Sequence, residues 1–285
     1  MSVTKWALIA LALTAIGPYR ATASEPKETA PLIHSAKSGP WSAADTWDGG
    51  KIPAAGDRVQ VRAGHTVTYD VKSDAGIRFL HVAGTLSVSP DKDTRLDVGL
   101  LKIQPGDEAS EDGFDCDAHL PEPKDGQPKP ALEVGTPDRP IDAKHTALIR
   151  LIHVDGLNKD SCPAIICCGG RMDLHGTPMN RTWVKLGVTA KKGDDTVTCA
   201  EAVTGWRAGD RILITATHLT PDGTRHRPGA RGRIANTEER EIRAIDGAKI
   251  VLDKPLEVEH LGAGEYRGEV ANLSRNVIVE SAEPD

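Results

Sequence analysis

The feature that most constrains this chain is a succession of short segments in which apolar residues alternate with polar ones. In the first half these are Val59/Val61, Val67/Tyr69/Val71, Leu80/Val82, Leu86/Val88 and Leu101/Ile103. Leu148/Ile152/Val154, Met172/Leu174, Val184/Leu186/Val188 and Ile212/Ile214 continue the series. Alternation of this kind marks strands with one buried face, and Gly, Asp and Pro between them mark turns. Helical periodicity is almost absent. The chain is therefore expected to be all-β.

Two all-β architectures compete. A sandwich needs mostly hairpins, whereas a parallel β-helix stacks short strands in coils of roughly 20 residues. Single glycines at Gly64, Gly76, Gly84, Gly99 and Gly106 suit coil corners better than tight hairpin turns. Later the pattern changes. Glu239 to Leu252 reads as strand, Asp246-Gly247 turn and strand, a strong hairpin signal. Lys191 to Asp195 between Val184–Ala190 and Thr196–Ala200 is a weaker one. The expectation is a parallel β-helix carrying antiparallel hairpin insertions.

Composition limits function more than fold. The 285 residues carry a formal charge of −6, so the basic footprint of a nucleic-acid binder is missing. Aromatics are 4%, too few for a broad aromatic sugar platform. Lys5, the apolar run from Trp6 to Gly17, the break at Pro18 and the small residues at Ala21 and Ala23 form the pattern of a secretory signal peptide, residues 1–23. Its removal deletes Lys5 and Arg20 and takes the charge from −6 to −8. The run is too short to span a bilayer. Residues 24–40 are polar and Pro-containing and read as a linker. The expected location is the periplasm or the exterior.

Export favours disulfides. Of the five cysteines, Cys162 is expected beside Cys167 or Cys168, and Cys116 or Cys199 in a second bridge, with one thiol left over. The segment from Pro105 to Pro130 is an acidic, Pro-rich loop. Calcium is conceivable there, but Glu111-Asp-Gly-Phe-Asp-Cys-Asp117 lacks the EF-hand spacing, so a solvated loop is the plainer reading. No cofactor is required by any motif, and no metal site is assigned from the Cys/His spacing.

The order of motifs resembles a known family. Thr46-Trp-Asp-Gly-Gly-Lys-Ile-Pro-Ala-Ala-Gly-Asp57 through Asp70, then Gly76 to Leu86 and Leu132 to Ile141, resemble the G8 domain, an all-β module, over about residues 41–170. Gly169-Gly-Arg-Met-Asp-Leu-His-Gly176, Thr182-Trp-Val-Lys-Leu186, Gly205 to Ile214, Glu238 to Ile242 and Asn272 to Val279 continue the resemblance. They look like the extracellular regions of the cell-migration-inducing hyaluronan-binding and fibrocystin-like proteins. The resemblance implies secretion, a right-handed β-helix that runs on through 171–285 as a truncated member, and a role in binding or helping to depolymerise a hyaluronan-like acidic polysaccharide. If the chain is an enzyme, it is a glycan-cleaving hydrolase or lyase. The alternative is a non-catalytic structural or adhesive protein of the cell surface.

Candidate residues carry two readings each. Asp57 and Asp70 are the carboxylate pair that glycoside cleavage would use, or else side chains that order turns. His175 could contact substrate, ligate a metal or act as acid or base near neutral pH, or be a structural residue at a strand end. Trp183 and Trp206 could stack on sugar rings or pack in the core. Arg225, Arg227, Arg231 and Arg233, with His226 among them, could hold uronate carboxylates or form a solvated loop.

Overall fold

The computed structural model describes residues 31–107, 109–111, 128–218 and 236–282. The first eight strands alternate between two parallel sheets. β1 (Leu32–His34) and β2 (Gly39–Pro40) are followed by β3 (Arg58–Val61) and β4 (Thr66–Tyr69), β5 (Ile77–Val82) and β6 (Thr85–Val88), and β7 (Thr94–Ile103) and β8 (Ala131–Val134). Then come β9 (Ala147–Leu151), β10 (Ala164–Cys167) and β11 (Arg171–Leu174). Alternation stops there: β9 and β10 both join the sheet of β1, on β7. One sheet runs β1-β3-β5-β7-β9 and the other β2-β4-β6-β8-β11, every neighbouring pair parallel. Register is regular: Arg58 pairs with Phe79 and Phe79 with Leu100, a step of 21 residues each time. The chain thus winds in stacked rungs, with strands already forming at Leu32, inside the stretch read as linker. Two short 3-10 turns, Ala44–Thr46 and Asp48–Gly50, are the helical content of the described residues. No helix among those residues is long and apolar enough to cross a membrane.

Alternation in the strands fills the space between the sheets. Val59, Val61, Leu80, Val82, Leu101 and Ile103 face Val67, Leu86, Leu132 and Val134 in one core, all fully excluded from solvent. Burying a side chain of this size contributes about 1.5–3 kcal/mol. Trp41 closes the start of that core, edge-on to Trp47 and Tyr69 at centroid distances of 4.8 and 5.0 Å. At the corner after β5, a Cβ on Gly84 would sit 2.3 Å from the Arg62 carbonyl and 2.4 Å from that of His65. Only glycine lets the chain turn there.

The outer face of the first sheet is covered as well. Phe79 and Leu100 point outward and pack with Leu157, Cys162 and Ile166. Beside them runs a polar ladder, Gln60, His81 and Lys102, in adjacent register. Gln60 Nε2 donates to His81 Nδ1 (2.9 Å) and to the Asp107 carbonyl (3.0 Å). His81 Nε2 donates to the Gln104 carbonyl at 2.9 Å, which fixes the neutral tautomer. Burial pushes the His81 pKa down, in agreement. Arg58 and Arg78 both reach Glu111, each at 2.7 Å. These side chains strap the start of the acidic loop to the sheet. The rest of that loop, 112–127 with Cys116, lies outside the described residues, as do residues 1–30, where the signal peptide is expected, and 219–235.

After β11 the grammar changes, as the hairpin signals require. β12 (Trp183–Lys185), β13 (Thr196–Thr198), β14 (Arg211–Ile214), β15 (Glu238–Asp246), β16 (Lys249–Leu252) and β17 (Glu269–Asn272) form a six-stranded antiparallel array, ordered β12-β17-β14-β15-β16-β13. The Asp246-Gly247 hairpin is present, with Asp246 paired to Lys249 and Gly247 at φ 58°. The weaker hairpin is reduced to a single antiparallel bridge, Leu186 to Cys199. β12 and β13 instead take β17 and β16 as partners. A second core of Val184, Leu186, Val197, Ile212, Ile214 and Val270 lies under this array. The chain then returns as β18 (Val277–Ser281), parallel to β9.

The expected disulfides are not formed among the described residues: Cys162, Cys167, Cys168 and Cys199 are all free. Cys162 is used as an apolar side chain in the cluster around Phe79, against which Cys168 also packs. Cys167 is the exposed end of β10. Cys199 is enclosed in the second core, 3% exposed.

Candidate functional site

The two candidate carboxylates are each occupied locally. Asp57 Oδ2 accepts from the Ala54 N–H at 2.9 Å and Oδ1 from Lys51 Nζ at 3.0 Å, holding the turn into β3. Asp70, just past β4 in the other sheet, accepts from the Ser42 N–H (3.0 Å) and Ser42 Oγ (2.8 Å), with Lys92 Nζ at 3.4 Å. They share no partner. His175 extends the rung of β11: its N–H donates to the Val134 carbonyl and its own carbonyl accepts from Ile141, both within 2.9 Å. Arg225, Arg227, Arg231 and Arg233 lie outside the described residues. Trp206 is core, 6% exposed.

Trp183 is not core. Alternation along β12 sends Val184 inward, 3% exposed, and turns Trp183 outward, 52% exposed. The indole lines a groove of about 650 Å³. Asn180, Arg181, Thr182, Lys185, Glu201 and Arg267 complete its polar lining. This volume is within the usual range for small-ligand sites, about 300–1,000 Å³.

The groove wall is held by named contacts. Buried Trp206 donates through Nε1 to the Arg181 carbonyl at 2.8 Å. Asn180 donates to the Ala202 carbonyl (3.0 Å) and accepts from the Thr204 N–H (2.9 Å), fixing the 200–204 segment beside β12. Gly205, at φ 83°, passes so close to Pro178 that a Cβ would be 2.3 Å from its carbonyl oxygen. The groove is thus a preformed feature of the strand and its neighbouring turn.

Its charge is unbalanced. Arg181 Nη2 pairs with Glu201 Oε2 at 2.8 Å. That contact holds the Glu201 carboxyl below its ordinary range and raises Arg181. The Nε atoms of Arg181 and Arg267 are both buried with no hydrogen-bond partner among the described residues. Lys185 faces Glu269 across the ladder with no ion pair between them among the described residues. Three cations and one carboxylate line a groove in a chain that is acidic overall. Such a site favours an anion presented beside an apolar surface that can lie on the indole.

The sequence pointed to Trp183 but not to its surroundings. Lys185 follows it at strand spacing and could have been placed on the same face. Glu201 and Arg267 come from distant turns, and only the fold brings them together. Among the described residues, no group of three His, Cys, Asp or Glu side chains converges on a metal position.

The profile of the G8 domain matches residues 46–187. Fibrocystin-L of Homo sapiens is 28% identical over 257 residues, covering 85% of this chain and 5% of that protein. A G8 domain-containing protein of Dictyostelium discoideum is 32% identical over 116 residues, 41% of this chain and 9% of that one. The chain therefore spans only about a twentieth of the length of fibrocystin-L. Among solved structures, the tailspike gp61 of Pseudomonas phage phi297 covers 78% of this chain and 23% of its own, at 12% identity and a TM-score of 0.25. The Trp183 groove straddles the boundary of the matched region, with Asn180 to Lys185 inside it and Glu201 and Arg267 beyond. The chain is a G8 domain protein that resembles the fibrocystin-like family.

Proposed function

We propose that this chain is an exported, extracellular module that binds an acidic, uronate-containing polysaccharide of the hyaluronan type in the Trp183 groove. One observation carries the reading: an exposed tryptophan in a groove lined by Arg181, Lys185 and Arg267 against the single carboxylate of Glu201. An indole face covers the apolar side of a sugar ring, and a guanidinium forks onto its carboxylate. The overall charge of −6 opposes an anionic polymer, so attraction must be local. Arg225, Arg227, Arg231 and Arg233 enter the proposal as further cations for a long chain. The leader at Lys5–Ala23 supports export. The 21-residue step from β3 to β5 to β7 within one sheet, with β4 and β6 placed in the other, supports reading the coil as a parallel β-helix, and we take it as right-handed. Binding is preferred to cleavage because Asp57 and Asp70 each order a separate turn.

The test is titration calorimetry of hyaluronan oligosaccharides against the full chain and Trp183→Ala, at low and high salt. The wild type should bind, more weakly as salt screens the cations. Trp183→Ala should lose at least about tenfold, or ~1.4 kcal/mol. Absence of binding to any uronate polymer, or an unchanged Trp183→Ala, overturns the proposal.

A further inference from the structure

Resting on that reading, we propose that Glu201 is an internal stand-in for the ligand carboxylate, seated on the Arg181 guanidinium until the glycan displaces it. Arg181 is built in rather than free to wander. Its backbone is fixed through Trp206 and its Nε is buried, so the Nη atoms are what it presents. Glu201 is the opposite case. Its side chain is 64% exposed, and Arg181 is its one ion-pair partner among the described residues. The lowered Glu201 pKa has that same guanidinium as its main cause, first by hydrogen bond and then by charge.

An exposed pair of this geometry is weakly held and can be exchanged for another carboxylate. A uronate arriving with its ring on Trp183 brings such a carboxylate to the same wall. It must then either replace Glu201 or lie beside it as a like charge, and replacement is the favourable outcome. Glu201 therefore sets selectivity. Neutral sugars cannot displace it, because they offer Arg181 no charge, whereas a uronate can. Arg267, which lines the same groove and has no ion pair among the described residues, is a second cation for the ligand with no carboxylate to displace.

The experiment compares hyaluronan oligosaccharide affinities of the full-length wild type, Glu201→Gln, and the Glu201→Gln, Arg181→Gln double variant. Circular dichroism checks that each is folded. Glu201→Gln should bind about threefold to tenfold more tightly than wild type. The double variant should bind no more tightly than wild type, because the gain is read through Arg181. A Glu201→Gln affinity equal to wild type overturns the inference while leaving Trp183-dependent binding intact. So does a gain that persists without Arg181, since Glu201 would then act only as a diffuse repulsive charge. If wild type and Glu201→Gln both fail to bind while Trp183 is unmodified, the glycan reading fails and takes this inference with it. Binding by Glu201→Gln alone supports both.

Discussion

Asn276 Oδ1 accepts a hydrogen bond from the Thr177 backbone N–H at 2.8 Å, across a sequence separation of 99 residues. Thr177 is where the chain leaves the coil after β11, and Asn276 is where it re-enters as β18. The Asn276 amide also donates to the carbonyls of Ile141, Asp142 and His145 at 3.0–3.1 Å. One side chain, 4% exposed, thus joins the departing strand, the returning strand and the turn before β9.

Asn276→Ala should therefore unseat the return. It leaves the Thr177 N–H and the His145 carbonyl without these partners, at about 1–3 kcal/mol for each buried group, while the Ile141 and Asp142 carbonyls keep Thr177 Oγ1 and the His145 N–H. We expect a loss of at least about 2 kcal/mol in urea unfolding. A loss below about 0.5 kcal/mol, the size of an ordinary surface substitution, would show that β18 is seated without it.

Acid sensitivity should centre on Glu238. Burial alone would raise its pKa, but hydrogen bonds from the Glu257 N–H, His260 and the Val258 N–H, with the nearby Arg240 charge, bring it below the ordinary 4.5. His260 is fully buried, with Nε2 2.9 Å from the carboxylate and Nδ1 2.9 Å from the Thr215 carbonyl. A carboxyl with a lowered folded pKa contributes stability that is complete above its unfolded pKa and lost as pH falls through the folded one. The stability gap between wild type and Glu238→Gln should be constant above about pH 4.5 and shrink below it. Denaturant titrations across that range would show it; a gap that widens in acid contradicts the assignment.

The thiols should be countable and distinguishable. Unfolded, unreduced protein should yield at least four titratable thiols, from Cys162, Cys167, Cys168 and Cys199. In the folded state, burial pushes the Cys199 pKa up to about 11, so it should alkylate last. Exposed Cys167 should alkylate well before it, although its own pKa is also raised by burial. Peptide mapping after timed iodoacetamide treatment gives the order. Three thiols or fewer on unfolding would restore a disulfide.

Much of the coil is legible in the sequence because its core-facing residues recur on a period of two, even where β3, β5 and β7 are buried on both faces. Val59/Val61, Leu80/Val82 and Leu101/Ile103 all face the core as expected. β9 reads differently: Leu148 is half-buried, while Ala147 and Ile149 are 2% exposed. The alternation in sequence places Leu148 inward with Ile152 and Val154, but those two pack elsewhere, on Gly76 and on the Phe79 cluster. Coverage of the outer sheet face made apolar residues appear on both sides of the strand, and alternation alone cannot rank them. Partner choice in the antiparallel body was hidden for another reason. β12 pairs with β17, far along the chain, and its weak local turn loses to that ladder.

The site is less legible than the fold. Trp183 and Trp206 look alike in sequence, each an isolated indole beside alternating residues. Trp206 is enclosed by the second core and donates to Arg181, while Trp183 occupies the outward position of β12. Which of the two is available is decided by packing from segments far away in sequence.

The central claim is that the glycan lies on Trp183. Trp41, Trp47 and Trp206 are all at most 6% exposed, so Trp183 is the accessible indole among the described residues. Limited oxidation with N-bromosuccinimide, followed by peptide mass spectrometry, should modify Trp183 first in the free protein. Saturating hyaluronan oligosaccharide should protect it, and a neutral glucan of equal length should not. Oxidation of Trp183 at the same rate with and without the uronate oligosaccharide, under conditions where calorimetry shows binding, would place the polysaccharide elsewhere and contradict the account.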